Sequence, residues 1–376
     1  MAESVYPAAR VVAPRLREHF IRHTPPPQKS TPPPPDVEDI EAVVDTAFWA
    51  SLRREEGYIP RISVALLPPD LALHPLRFER PLPLTAMALV RVAPAVERRG
   101  IHLGVWRSAE GALEIWGTTR TVPVSTLVLE VSAPGLLVVK HHTRDGGKFV
   151  NIAVLEGDQV KVVDERASTL PDCPSLLTAL LGFGSRDTGP DRPLTVLVSL
   201  AVSMRAHGRG GSLLVVPSGD DGWRRSIVTP ISYAIAPAFV ELGQLLQLQP
   251  TLGEDRGWQD AIDDTIEEIA GLTAVDGATV LSDRHELLAF GAKILRRHGS
   301  ATVEQVTVTE PIEGTQAEVV HPTRLGGTRH LSAAQFVFDQ RQALALVASQ
   351  DGRFTVFAWS PCEDMVHAHR VESLLL

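Results

Sequence analysis

The amino-acid sequence predicts an α/β protein of the α+β kind, in which a mostly β amino-terminal domain precedes a mixed sheet flanked by helices. Three observations predict it. The chain has 376 residues, about twice the usual domain size, so two domains are the default. From Ile62 to Val163 the texture is one of short β-branched runs broken by proline and glycine, the mark of consecutive strands. From about residue 193 onward, segments of helical periodicity alternate with apolar runs such as Leu213-Leu214-Val215-Val216, as a sheet covered by helices requires.

Composition narrows the class further. Hydrophobic residues make up 44% and charged residues 22% of the chain, an ordinary globular balance that can offset the conformational entropy lost on folding. No run approaches the roughly 20 apolar residues that cross a bilayer, and the first residues lack the apolar core and cleavage site of a signal peptide. The expected compartment is therefore the cytoplasm, with no membrane partner. Cys173 and Cys362 are too few for a disulfide framework or a four-ligand zinc site. The formal charge of −9 argues against non-specific nucleic-acid binding, which draws its affinity from neutralised phosphates. Local basic clusters, Arg53-Arg54, Arg224-Arg225 and Arg296-Arg297-His298, are read as solvated faces.

Residues 1–36 carry the proline tracts Pro25–Pro27 and Pro32–Pro35. Proline fixes φ and removes backbone donors, so an extended or disordered tail is expected there, with a short helix ahead of it where Val11, Leu16 and Phe20 fall near helical spacing. A β-rich domain is expected over 37–170. It opens with an amphipathic helix in which Ile40, Val43, Val44, Ala47, Phe48 and Leu52 recur with a period near 3.6, ending at Gly57. Strands are expected at 62–67, 86–92, 101–106, 113–116, 127–131, 136–140 and 160–163, with Pro68, Pro69, Pro81 and Pro83 in loops or at edges because proline cannot donate into a central ladder. Trp106 and Trp116 read as core, and His102, His141 and His142 as surface residues; a ligand pocket lined by them is the alternative. Ala133-Pro134-Gly135 and the stretch from Thr143 to Gly147 read as hairpin turns. A linker is expected over 171–192, with one short helical pattern at Leu176, Leu177, Leu180 and Leu181.

The third region, 193–376, holds the segments with chemical character. An apolar helix from Leu194 to Met204 runs through Gly208, Gly210 and Gly211 into the strand at Leu213, which places backbone amides near the strand start where an anion or an adenine edge can approach. A tight turn that needs only glycine φ values is the ordinary alternative. A helix from Trp258 to Ala270 puts Ile262, Ile266 and Ile269 on one face and Asp263, Asp264, Glu267 and Glu268 on the other, a solvated face rather than a metal site. Asp276-Gly277-Ala278 reads as a turn feeding a buried strand, with a second strand at 286–292. Such a hairpin holds Asp276 at the lip of a sheet, either as a ligand to a divalent ion on a nucleotide phosphate or as a turn residue that caps its own backbone. Gly326-Gly327-Thr328-Arg329-His330-Leu331-Ser332 opens a helix with amides, a hydroxyl, a fixed cation and an imidazole, groups that all donate where phosphate oxygens accept. Strands at 343–348 and 354–359 follow, joined at Asp351-Gly352.

Taken in order, Gly211-Ser212-Leu213-Leu214, Asp276-Gly277-Ala278, Gly327-Thr328-Arg329-His330 and Ala348-Ser349-Gln350 resemble the motifs of the DisA-type diadenylate cyclase domain. The resemblance covers residues 193–376. It implies that Asp276 is the metal-binding and catalytic carboxylate, working with Mg2+ or Mn2+. Thr328, Arg329 and His330 would contact the triphosphate, with Gly327 and Ser332 beside them. Gly277 and Ala278 would let the nucleotide close to the backbone, and Gly211, Leu213 and Leu214 would border the adenine. It also implies a homodimer, since two such domains meet face to face to join two ATP molecules. One position departs from the pattern: Leu331 stands where the family carries a second phosphate-binding arginine, and an apolar side chain can neither donate nor carry charge.

By the turn Ala206-His207-Gly208-Arg209-Gly210-Gly211 and the strand end Trp116-Gly117, the whole chain also resembles a divergent branch of bacterial proteins, DACNV-like, in which a β-rich region precedes a DisA-like domain and which are regarded as probable nucleotide sensors. The expected function is thus a sensor that binds ATP or a cyclic dinucleotide, with weak or absent catalysis, and passes that state to an unidentified protein partner or to its own amino-terminal domain. The alternatives are an active diadenylate cyclase that makes cyclic di-AMP from two ATP, and a scaffold in which the motif residues are structural.

Overall fold

A computed structural model of the chain describes residues 5–24, 31–54, 59–98, 100–143, 149–164, 192–248 and 255–376. It divides into two compact units, Met1–Val163 with Leu376, and Asp164–Leu375. Each has its own mixed sheet. The helical pattern expected at Leu176–Leu181, the stop at Gly57 and the turn from Arg144 to Gly147 lie outside the described residues.

The first unit is an eight-stranded sheet with helices. Its elements are α1 (Pro7–His23), α2 (Val37–Ser51), β1 (Ile62–Leu66), β2 (Leu76–Pro83), α3 (Ala86–Val92), β3 (His102–Arg107), β4 (Leu113–Thr119), β5 (Leu127–Ala133), β6 (Leu136–His142), β7 (Phe149–Glu156) and β8 (Gln159–Val162). The sheet order is β2-β4-β3-β1-β5-β6-β7-β8. Among the described strands of this sheet only β1 and β3 pair in parallel, as a crossover through α3 requires. Pro81 and Pro83 fall in β2 at the sheet edge, the expected place for residues that cannot donate.

Four expectations change here. The helix expected at Val11, Leu16 and Phe20 is present but spans residues 7–23 and is packed, not part of a loose tail: Val12, Leu16 and Phe20 are buried, Pro7 sits in the first turn, and Arg22 and His23 close the last. Proline at the start of a helix lacks only a donor that would have gone unused. Residues 86–92 form α3 and not a strand, because the Thr85 side chain accepts from Ala88 N and so caps a run that opens with the good helix formers Ala86, Met87, Ala88 and Leu89. Phe149–Glu156 is a strand that the reading omits, although the hairpin expected before it demands one. His102 and His141 are buried, not on the surface: His102 Nδ1 lies 2.7 Å from Ser63 Oγ, and His141 Nδ1 lies 2.7 Å from His19 Nε2. Polar partners in the interior permit this burial.

Trp116 is core, as expected. The β3–β4 register jumps from Gly104 opposite Gly117 to Val105 opposite Ile115, leaving Trp116 as the extra residue of a bulge. Its indole N–H donates to Leu67 O at 2.8 Å, and its ring lies over Gly104, where any Cβ would overlap it.

The second unit comprises α4 (Arg192–Ala206), β9 (Gly211–Val216), β10 (Tyr233–Phe239), α5 (Glu241–Gln247), α6 (Asp255–Leu272), β11 (Ala278–Ser282), β12 (Leu287–Ala292), β13 (Val306–Thr309), β14 (Glu318–Val320), α7 (Thr328–Asp339), β15 (Leu344–Ala348), β16 (Phe354–Ser360) and β17 (Met365–Arg370). Nine strands run in the order β10-β12-β11-β9-β15-β16-β17-β13-β14. One face packs on α7 through a core that includes Leu214, Val216, Val280, Ala333, Phe336, Val347 and Phe357. Side chains alternate along a strand, so Leu213, Val215 and Leu281, all buried, face the side where α4 and α6 pack. In α6 the isoleucines at 262, 266 and 269 are buried and the acidic residues at 263, 264, 267 and 268 exposed, the expected amphipathic division.

Candidate functional site

Strand register brings the separated motifs of the second unit to one end of its sheet. β9 and β11 run parallel, with Leu213 beside Thr279, so the segments preceding them emerge together. β15 runs antiparallel to β9 and ends with Ala348 beside Gly211. β12 runs antiparallel to β11 and ends with Ala292 beside Ala278. The glycine turn at 208–211, the Asp276 turn, the exit of β12 and the exit of β15 therefore share one rim.

Arg329 comes from the first turn of α7, whose packing on β15 and β16 aims that helix start at the same rim. A Cβ built on Gly210 would meet Arg329 Nη1 at 2.9 Å and Gln350 Cγ at 3.3 Å, so the guanidinium lies directly against the glycine turn. Gln350 Nε2 donates to Arg209 O at 3.3 Å. Gly211 is equally confined, since a Cβ there would meet Thr273 O at 2.6 Å. Thr273 Oγ1 in turn lies 3.2 Å from His207 Nε2. These close approaches need glycine for lack of a side chain.

Asp276 is exposed at the lip and paired with Lys293. That ammonium, by its hydrogen bond and its charge, holds the Asp276 carboxyl below the usual carboxylate range, and the charge of Arg329 pulls in the same direction. Asp276 and Arg329 thus act on one another across the rim. Gly277 has a φ of +114°, and a Cβ on it would overlap the Gly291 carbonyl. Beside them Tyr233 and Phe290 stack with ring centroids 4.7 Å apart, and Tyr233 is half exposed.

The helix start at Gly327 has no side-chain cap, which leaves first-turn amides available to an anion. Thr328 is exposed, and Ser332 is half-buried. Among the described residues Arg329 has neither a hydrogen bond nor an ion pair. His330 is placed differently from the expectation that it reaches phosphate. It is buried, lies edge-on to Phe357, and has its pKa pushed down by burial. Leu213, Leu214 and Ala278 are likewise fully enclosed within the strands. The rim therefore gathers Gly211, Asp276, Gly277, Gly327, Thr328 and Arg329, while His330, Leu213, Leu214 and Ala278 belong to the packing behind it. Lys293 and Tyr233 are rim residues that sequence reasoning missed. The signal for Lys293 was the hairpin itself, since strands that leave a turn at Asp283 must end opposite Asp276.

Magnesium and manganese take several oxygen ligands. Asp276 offers one carboxylate, already bonded by Lys293, and among the described residues no group of three or more His, Cys, Asp or Glu side chains is placed to hold a metal. Asp276 is therefore the rim carboxylate that could join a divalent ion shared with a ligand's phosphate oxygens, once its bond to Lys293 is released.

Residues 29–120 match the family model described as the probable sensor domain DACNV. That stretch runs from α2 to β4 in the first unit and contains none of the rim residues. No curated protein matches the chain. Among the described residues, no helix is long and apolar enough to cross a membrane.

Proposed function

We propose that the protein is a nucleotide sensor whose second unit binds ATP or a cyclic dinucleotide at the rim formed by Gly210-Gly211, Asp276-Gly277 and Arg329. The convergence of a guanidinium without a partner among the described residues, an uncapped helix start and two glycine-bearing turns carries this reading. Arginine suits phosphate because its planar fork donates two hydrogen bonds at once. The glycines let Arg329, Thr273 and the Gly291 backbone close in on the rim, and the half-exposed Tyr233 over Phe290 offers a flat surface on which a base can stack. Similarity of residues 29–120 to a probable sensor domain supports the sensing role.

In this reading catalysis is weak or absent. Leu331 packs against the core between α7 and the sheet, so it brings no charge to a transferring phosphoryl group, and such charge is what stabilises the transition state of that chemistry.

Thermal-shift titration with ATP and cyclic di-AMP tests the proposal. A ligand at 100 times its Kd adds about 2.7 kcal/mol of stability, and Arg329→Ala should weaken binding about tenfold or more, through loss of a charge-assisted contact worth roughly 1.5–3 kcal/mol. No shift with either ligand, or a shift indifferent to Arg329→Ala, removes the proposal. Robust cyclic di-AMP production from ATP with Mg2+ or Mn2+ would establish the cyclase instead.

A further inference from the structure

Resting on that nucleotide-binding reading, we infer that Lys293 is the built-in cation of the rim, so that the site holds a phosphodiester anion without a divalent metal ion. The geometry comes from the β11–β12 hairpin. Ala278 stands opposite Ala292, which sets Asp276 and Lys293 at the two emerging ends of the pair. Gly277 closes the gap: its backbone lies so near that of Gly291 that no side chain fits between them. The ammonium is therefore delivered to the Asp276 carboxylate by backbone register, at the place a carboxylate-bound metal would occupy.

A divalent ion at Asp276 would have to displace Lys293 and then sit beside its charge and that of Arg329, whose field already reaches Asp276. Both cations would oppose a divalent ion held at that carboxylate. With the metal absent, Asp276 and the two cations that act on it, Lys293 and Arg329, sum to a single positive charge. That matches one phosphodiester, which carries a single negative charge, as each phosphate of a cyclic dinucleotide does. A bare triphosphate carries several charges and would leave most of them uncompensated. Lysine serves here as a compact point charge, so its contribution depends on charge more than on donor geometry.

Calorimetric titration of the full chain with cyclic di-AMP and, separately, with ATP, each in EDTA and again in excess Mg2+, tests the inference. Cyclic di-AMP should bind with the same Kd, within about twofold, in both buffers. Lys293→Met should weaken it about tenfold, the loss of one charged contact, and Lys293→Arg should retain most of the affinity. Because Lys293 is half exposed, neither substitution disturbs packing, and matching circular-dichroism melts would establish that. Binding that requires Mg2+, binding indifferent to Lys293→Met, or Mg-ATP binding tighter than cyclic di-AMP overturns the inference and leaves the nucleotide reading standing. Absence of binding by both ligands in both buffers overturns both.

Discussion

Gly277 is excluded from carrying a side chain on two independent grounds, its φ of +114° and its contact with the Gly291 backbone. Gly277→Val should therefore destabilise the protein by roughly 3 kcal/mol or more, from backbone strain and overlap together, and should abolish nucleotide binding; a wild-type urea midpoint would contradict the assigned geometry. Gly104 is constrained by packing instead, since Trp116 lies over it. Gly104→Ala should cost about 1–3 kcal/mol through overpacking, read as a lower denaturant midpoint, and Trp116→Phe in the same chain should recover part of that loss. Both glycines are visible in the sequence, but nothing local distinguishes them from turn glycines with open space around them, such as Gly208. The same holds for the histidines. An imidazole carries no mark of burial, and only the fold reveals that His330 lies in the core while its neighbour Arg329 stays at the rim.

Elements with a clear period were legible. The isoleucine face of α6, the opening helix α2 and the runs of β5, β6 and β9 follow from alternation and 3.6-residue spacing, because burial on one face is a local property of the chain. The region at 86–92 was misread because a short apolar run fits a buried strand and a helix equally well. There the deciding feature is the cap: Thr85 Oγ1 accepts from Ala88 N at 3.1 Å. Thr85→Ala should lower stability by about 1 kcal/mol, with the midpoint shifted and the denaturant dependence unchanged; no shift would mean that packing alone holds α3. The helix at 7–23 follows from the spacing of Val11, Leu16 and Phe20, but its packing does not. Prolines nearby suggested extension, whereas Tyr6 anchors the helix by stacking on Phe48 and donating to the Gly157 carbonyl, partners far along the chain.

Across both units, buried histidines set a common pH response. Burial holds the imidazole of His369 down to about 4 and those of His102 and His330 below their ordinary value. An unfolded chain takes up these protons near pH 6.5 while the folded chain excludes them. Stability should therefore be full above about pH 6.5 and fall as pH drops toward 4, by up to roughly 1.4 kcal/mol per pH unit for each such group. Urea midpoints from pH 7.5 to 4.5 check this, and His369→Phe should flatten the slope; a midpoint that rises toward acid would refute it. What the sequence determined by itself was the kind of molecule: a mostly β region followed by a mixed α/β one, and the order of the glycine, Asp276 and Arg329 segments, all carried by residues close together in the chain. What the tertiary structure decided was adjacency. β9 lies between β11 and β15, strands more than 60 residues away from it in sequence; that pairing, with the β11–β12 hairpin and the packing of α7 on β15 and β16, brings Gly210, Asp276, Lys293 and Arg329 to one rim. Periodicity reports which face of an element is buried, whereas the choice of neighbour depends on how whole faces fit together, which no local stretch of residues encodes.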